Sequence, residues 1–497
     1  MIEGKETIAS LIGSLQSALD AADLRSASMI CNRLALLHQD KGDYDQALEC
    51  SQRALEIAEQ GGELPEVSKS YNQIGMIHQK RGHFDKALDF SLKALAMAEQ
   101  AGDEEELFRS YHQIGIVHQK RGDYDRALEF HQKALCQAEK MEDPGGIAKS
   151  YNQIGIVHQN RGDYGWAIEF FQQSLDIAEK IEDAGLTAVG YQNMGIVHQR
   201  KGDYEKALDS CLRALEIKQN TEDFHGMLRI YGQIGLIHKL QGNYEKALVF
   251  SQRALDMAEK IEDSAGVSRS YNQIGSIYQK KGDFVSALEC HKKALELAEE
   301  TGDVTEISTS YHQMGIIHRS RGDMERAITY TEKALRIAEQ IGDIAGVSKS
   351  YRQMGIIYQH RGEHERGLQY HTKALEIAER IGDIAGVSKS YHQMGNVYQD
   401  RGDHDKALEL YQKALDIAKT VGDIAGVAGS VGMVGKVMQM KKHYVDAFTD
   451  YLISLDIFEK IGSPNVNIVN EFITELTKEM GEEDFHKLLE QFKGSQG

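Results

Sequence analysis

Between Val67 and Arg81 the apolar or small residues Val67, Ser70, Tyr71, Ile74, Gly75 and His78 recur at steps of three and four. That is the stripe of an amphipathic helix, helix A. From Phe84 the residues Ala87, Leu88, Ala94, Leu95 and Ala98 make a second stripe, helix B. Gly82 separates the two, because glycine takes the left-handed conformation that closes a helix without a Cβ clash. The pattern returns every forty residues without slipping: Tyr from 71 to 391, Gly from 75 to 435, Gly from 42 to 402, and Ala from 47 to 447 with Gly367 the one exception. From the unit holding Gly42 to the unit holding Ala447 there are eleven repeats. One A–B pair cannot bury its own apolar face, whereas stacked pairs can. The expected fold is therefore all-α, a solenoid of about eleven helix-turn-helix units.

The ends read differently. Residues 7–20, with Ile8, Leu11, Ile12, Leu15 and Leu19, predict an N-terminal capping helix, so the chain divides into a cap at 1–20, an array at 21–462 and C-terminal capping helices with a short tail at 463–497. After Pro464, Val469, Phe472, Ile473, Leu476 and Met480 precede Phe485, Leu488, Leu489 and Phe492, a spacing that predicts two closing helices. All three prolines, Pro65, Pro144 and Pro464, fall between repeats, where a lost N–H costs little.

Composition narrows the partners. With 57 Lys+Arg against 76 Asp+Glu the formal charge is −19, which repels nucleic-acid phosphate and anionic lipid, so neither nucleic acid nor membrane is an expected partner. The first twenty residues lack the apolar core of a signal peptide and no run of eighteen apolar residues occurs, so a soluble, cytoplasmic protein is expected. Cys31, Cys50, Cys136, Cys211 and Cys290 show no CxxC spacing and read as buried apolar fillers.

At Tyr71-Asn-Gln-Ile74-Gly75-Met-Ile-His78 and Ala87 the chain resembles the tetratricopeptide repeat pattern W-x2-L-G-x2-Y with its later Ala. Tyr stands for the Trp and His for the second Tyr. Relative to the thirty-four-residue repeat, the six added residues lie between Ala94 and Tyr111. Units of this length, with the phrase Ile-Gly-Asp-Ile-Ala-Gly-Val between them, resemble the Pins/LGN-type spindle-orientation adaptors and, less closely, kinesin light chains; similar arrays occur in bacterial regulators. The resemblance implies a right-handed superhelix with helix A lining the concave face and helix B the convex face. It also implies a ligand-contacting Asn directly after Leu-Gly, but that place holds Ile116, Ile156, Ile196, Leu236, Ile316 and Ile356, and only Asn396 matches. The central groove is thus expected to be more apolar than the adaptors' own.

The columns facing that groove follow from the register. Two residues before each Tyr stand Lys69, Arg109, Lys149, Arg229, Arg269, Lys349 and Lys389; directly after it come Asn72, His112, Asn152, Asn272, His312, Arg352 and His392, and then a column of Gln. Amides can hydrogen-bond the backbone of an extended peptide and cations can take its carboxylates. A basic groove inside an acidic shell is expected to bind an extended or helical acidic segment of a partner protein. In the alternative arrangement, the Gln column bonds neighbouring helices and the cations are merely solvated. Trp166 occupies a column otherwise held by Lys86, Arg126 or Lys206, and with Phe170 it is a candidate exposed hot spot. The His column, His38 to His318, is replaced by Tyr278, Tyr358 and Tyr398 and reads as packing rather than metal ligation. Arg-Gly-Asp at 121, 161, 321 and 401 is the A-to-B turn. No GxSxG, P-loop or HExxH motif occurs, so no catalytic residues, metal or cofactor are expected. The sequence thus reads as a non-catalytic protein-binding adaptor, or else as a regulatory or sensor subunit whose superhelix changes shape on ligand binding to control a separate enzyme.

Overall fold

Residues 8–40 and 42–494 are described by the structure, a computed structural model. Among them are twenty-five helices. The single helix Ile8–Asp20 precedes eleven A–B pairs, running from Leu24–Asp40 with Tyr44–Gly61 to Ile424–Met440 with Tyr444–Lys460, and Val466–Met480 and Glu482–Gly494 follow. The fold is an all-helical superhelical solenoid. In the second repeat, helix A is Leu64–Lys80 and helix B is Phe84–Ala101.

Local chemistry sets these boundaries. Aspartates open the helices: the Asp103 carboxylate accepts from the Glu106 N–H at 3.1 Å and that of Asp343 from the Gly346 N–H at 2.9 Å, which satisfies donors the helix itself cannot. Gly82 closes helix A at φ +76° and Gly102 closes helix B at φ +64°. In four consecutive repeats the second turn departs from this rule, with Glu142, Glu182, Glu222 and Glu262 left-handed at φ 51–56°. Pro65 and Pro144 sit in the first turn of a helix A rather than between helices, where the missing N–H would have had no partner in any case.

Helices A and B approach to backbone contact. A Cβ on Gly75 would lie 2.8 Å from Ser91 Oγ and 3.2 Å from the Ala87 carbonyl oxygen, and one on Gly395 would lie 2.6 Å from the Tyr411 ring. The facing alanines, Ala87, Ala94 and Ala98 among them, are fully buried. The His column fills the space beside them: His78, His118, His158, His238 and His318 stack on Phe90, Phe130, Phe170, Phe250 and Tyr330 with ring centroids 5.3–5.7 Å apart. At the N-terminal end Leu11 and Leu15 bury against Ala27, Cys31 and Leu34, and at the C-terminal end Val469, Leu476 and Leu488 cover Phe448 and Phe458.

Each helix A packs on its own helix B, on the preceding helix B and on the neighbouring A helices, which puts the A helices on the inner side. Beside the A-to-B turns, an ion-pair ladder links one repeat to the next: Arg81 with Asp45, Arg121 with Asp85, Arg161 with Asp125, Arg361 with Glu325, Arg401 with Glu365 and Lys441 with Asp405, at 2.6–3.2 Å.

The small rotation between repeats winds the array until its turns touch. The A-to-B turns of the early repeats meet the B-to-A turns of the late ones: a Cβ on Gly82 would lie 3.1 Å from Val304 Cγ2 and 3.5 Å from Ile341 Cβ, one on Gly122 3.1 Å from Ile381 Cδ1, one on Gly162 2.9 Å from Ala385 Cβ, and one on Gly202 3.5 Å from Ile461 Cδ1. Ile341 is buried in a cluster with Phe84, Ala87 and Val117. The phrase Ile-Gly-Asp-Ile-Ala-Gly-Val, which the sequence offered as an inter-repeat connector, is therefore the surface with which the second superhelical turn seats on the first.

Candidate functional site: the inner groove and a chamber between turns

The groove opens on a basin of about 680 Å³ near the N-terminal end. Met29, Leu36, Met76, Phe108 and Ile116 give it an apolar floor, and Arg33, Lys69, Arg109 and Lys149 stand around it. Two carboxylates share this space. Glu66 and Glu106 are almost fully buried, Lys69 Nζ donates to Glu66 Oε1 at 2.9 Å and Arg109 pairs with Glu106 at 3.2 Å and with Glu105. Burial pushes the Glu106 carboxyl up while Arg109 holds it down. A second basin of about 390 Å³ lies further along, with Ile196, Leu228 and Leu236 beside Arg200, Arg229 and Arg269; Arg269 also reaches Asp263 at 3.4 Å.

Several amides of these columns are engaged by the array itself. Asn72 donates to Ser110 Oγ and Asn272 to Ser310 Oγ, each at 3.0 Å, while Asn193 donates to Asn152 at 2.7 Å. Gln73 bonds Gln39 and Gln113 bonds Gln79. Asn72, Asn152 and Asn272 are buried, so these amides knit neighbouring A helices, which is the arrangement the sequence left as the alternative for the Gln column. His112 packs edge-on against His131 at 5.6 Å, and burial, with Lys149 adding to it, pushes its imidazolium down to about 4. Burial does the same to His312, to about 4, with Lys349 contributing. Both rings are neutral at pH 7. His392 lies against Tyr411 at 5.4 Å and burial lowers its pKa. Asn396 accepts from the Tyr411 hydroxyl at 2.7 Å and donates to Gln393 at 3.3 Å.

The remaining predicted cations stand elsewhere. Lys349, Arg352 and Lys389 project from late A helices into a chamber of about 450 Å³ whose opposite wall is the first superhelical turn, with Tyr124, Tyr164, Tyr204 and Arg200. Asp383 and Asp423 complete it. Lys389 is reached by solvent yet hemmed in by protein; burial pushes its ammonium below the usual range and the neighbouring Arg352 adds to this. Burial lowers Arg352 as well. Burial, with Asp423 next in effect, pushes the Tyr164 hydroxyl up to about 12. Arg200 escaped the sequence reading because it stands at the C-terminal end of a helix A, outside the columns around each Tyr. Lys239, on another A helix and pushed down to about 8 by burial and by Lys280, escaped it for the same reason.

The tetratricopeptide repeat profile matches residues 25–100, 106–180, 186–260, 266–340 and 346–420. The chain belongs to the tetratricopeptide repeat family. No curated protein matches the sequence. Among solved structures, a Rap protein complexed with competence and sporulation factor is similar at TM-score 0.51 and 16% identity, over 80% of this chain and 99% of that one. Aspartyl phosphate phosphatase F from Bacillus subtilis is similar at TM-score 0.46 and 16% identity, over 72% and 95%. At such identities the likeness to the Rap protein is one of fold.

On the outer side of the tetratricopeptide array, Trp166 is 57% exposed, with its ring 6.3 Å from Phe170 and 6.4 Å from His158. Phe170 is half-buried because it stacks on His158, so of the two only Trp166 presents most of its surface. The cysteines divide: Cys31 and Cys211 are buried fillers, Cys50 and Cys290 are half-buried, and Cys136 is exposed. The filler reading fails for Cys136 because its place on helix B faces outward. No helix among the described residues is long and apolar enough to cross a membrane.

Proposed function

We propose that this array is a non-catalytic protein-binding adaptor that takes an extended or helical acidic segment of a partner along its inner groove. The observation that carries this reading is the pairing of two columns on the A helices: an aliphatic spine of exposed Leu36 and half-buried Met76, Ile116, Ile156, Ile196 and Leu236, beside the cations Lys69, Arg109, Lys149, Arg229 and Arg269. An amphipathic acidic segment matches both, burying apolar side chains on the spine while its carboxylates meet the cations. Membership of the tetratricopeptide repeat family supports a protein or peptide as the partner.

A second reading, a sensor that controls a separate effector, is favoured by the contact between superhelical turns, since a closed winding gives a ligand two states to choose between. The Rap protein complexed with competence and sporulation factor supports it by analogy of fold.

Anisotropy of a labelled peptide alternating Leu and Glu, titrated with the full chain and with the triple variant Lys69→Glu, Arg109→Glu, Lys149→Glu, tests the groove. Affinity is expected to fall by about a hundredfold or more in the variant, on the order of 1 kcal/mol per reversed charge. Equal affinity would sink the basic-groove reading.

A further inference from the structure

We propose that the chamber between the two superhelical turns is a binding site for a small, multiply charged oxyanion of the phosphorylated class, held by Arg200 from the first turn and by Lys349, Arg352 and Lys389 from the second. The site shares Arg200 with the second groove basin but none of the Lys69, Arg109 and Lys149 set on which the adaptor reading is tested, so it does not depend on that reading.

Charge is the first argument. Four cations and two carboxylates line about 450 Å³, in a protein whose overall charge is −19. Many cations elsewhere in the array are paired, as Arg361 is with Glu325 and Glu363 and Arg401 with Glu365. Here, among the described residues, none of the four has a carboxylate at salt-bridge distance: Arg200 donates to the Gln159 carbonyl oxygen at 3.2 Å and to Asn160 at 3.4 Å, and Arg352 to Ser348 Oγ at 3.2 Å. Both chamber carboxylates are already in use as helix caps, Asp383 accepting from the Gly386 N–H at 2.8 Å and Asp423 from the Gly426 N–H at 2.9 Å. Lys349 and Lys389 keep contact with water, so the cluster stands without a ligand, and an anion carrying several charges would draw on all four cations at once.

The donor set points to the class of anion. Two guanidinium forks offer paired N–H groups to tetrahedral oxyanions, and two ammonium groups add point charge. The phenols of Tyr124 and Tyr164 on the facing wall are held neutral by burial, so they add hydroxyl donors. The volume suits a compact ligand. Because its anchors come from both turns, the ligand would clamp the winding shut, and its binding free energy would appear as stability of the closed superhelix.

The test uses the full chain with inorganic pyrophosphate and tripolyphosphate as probes, hexaglutamate as the peptide arm, and calorimetry with thermal unfolding as readouts. Pyrophosphate is expected to bind with a stoichiometry of one and to raise the unfolding temperature. Arg352→Gln and Lys389→Gln are each expected to weaken it about tenfold or more, the loss of one charge-assisted contact, while Lys69→Gln in the open groove leaves it within about twofold. Removing one of several repelling cations should leave the unliganded variants at least as stable as the parent, so a loss of binding is not a loss of fold. Absence of saturable binding by either polyphosphate, equal loss in Lys69→Gln, or tighter binding of hexaglutamate than of tripolyphosphate would each overturn the proposal. The adaptor reading fails separately, through the Lys69, Arg109 and Lys149 variant.

Discussion

At the scale of single residues, glycine on helix A is explained by what helix B places opposite it. The facing residue is small in some repeats, as with Ser91 and Thr331, and large in others, as with His131, Phe171 and Tyr411, yet in every one of these the added Cβ would fall 2.6–2.8 Å from it. Gly395→Ala is therefore expected to destabilise the protein by about 1–3 kcal/mol through overpacking on the buried Tyr411 ring. Gly429→Ala, in a helix where nothing lies within 4 Å, is expected to stabilise by about 1 kcal/mol through helix propensity. Urea unfolding of the pair checks both signs, and matching signs would refute the packing account. The left-handed glutamates give a third single-residue prediction. Glu222 adopts φ 51° where other repeats use Gly, so Glu222→Gly should raise stability by about 0.5–1 kcal/mol, the steric relief less the entropy of glycine. The forty-residue period made these glycines visible in the sequence. It did not reveal that Asn72 and Asn272 turn to Ser110 and Ser310 rather than to a ligand, because a polar side chain on an inner face can satisfy itself on a neighbour or on a partner, and spacing does not distinguish the two.

At the scale of elements, the helices were legible to within a turn. Helix A starts at Leu64 rather than Val67 because its first turn is set by capping and by Pro65, outside the apolar stripe. What the stripe concealed is a set of buried histidines on helix B. His131, His291 and His371 are 0% exposed, and they share a column with Ser, Phe, Cys, Thr and Tyr, so no repeating pattern marks them. Burial pushes His131 down to about 3 and His291 and His371 to about 4. Because these folded-state values lie below the ordinary value of about 6.5, the unfolded chain takes up protons first as the pH drops below that point. Stability is thus fully present above about pH 6.5 and is lost as the pH falls towards 4, by about 2 kcal/mol per histidine between pH 7.5 and pH 5. Replacing the three by Asn should flatten this dependence in denaturant midpoints taken across that range. An unchanged slope would mean that the acid sensitivity arises elsewhere.

At the scale of the molecule, the decisive contacts join residues more than two hundred positions apart. Gly162 meets Ala385 and Gly202 approaches Ala425, the same offset displaced by one repeat, because the turn closes only after the rotations of several repeats have accumulated. A periodic sequence shows that units stack; the angle between them depends on side-chain packing at each interface, which period alone does not encode. For that reason Lys349, Arg352 and Lys389 read from the sequence as one more stretch of the column that holds Lys69 and Arg109, whereas the winding roofs them with the first turn. The apolar contacts of the seam include Ile341 and Ile381, both buried, with Val304 and Ile461 beside Gly82 and Gly202, while the repeats on either side are held by their own cores. Ile341→Asp with Ile381→Asp should accordingly open the superhelix without unfolding its units, since a carboxylate placed there must leave the seam to be hydrated. Small-angle scattering should show a larger radius of gyration and a longer maximum dimension, with helical circular dichroism unchanged. Pyrophosphate affinity should fall in the same variant, because Arg200 would be drawn away from Lys349, Arg352 and Lys389. An unchanged scattering profile would show that the turns are held together by something other than the isoleucine contacts.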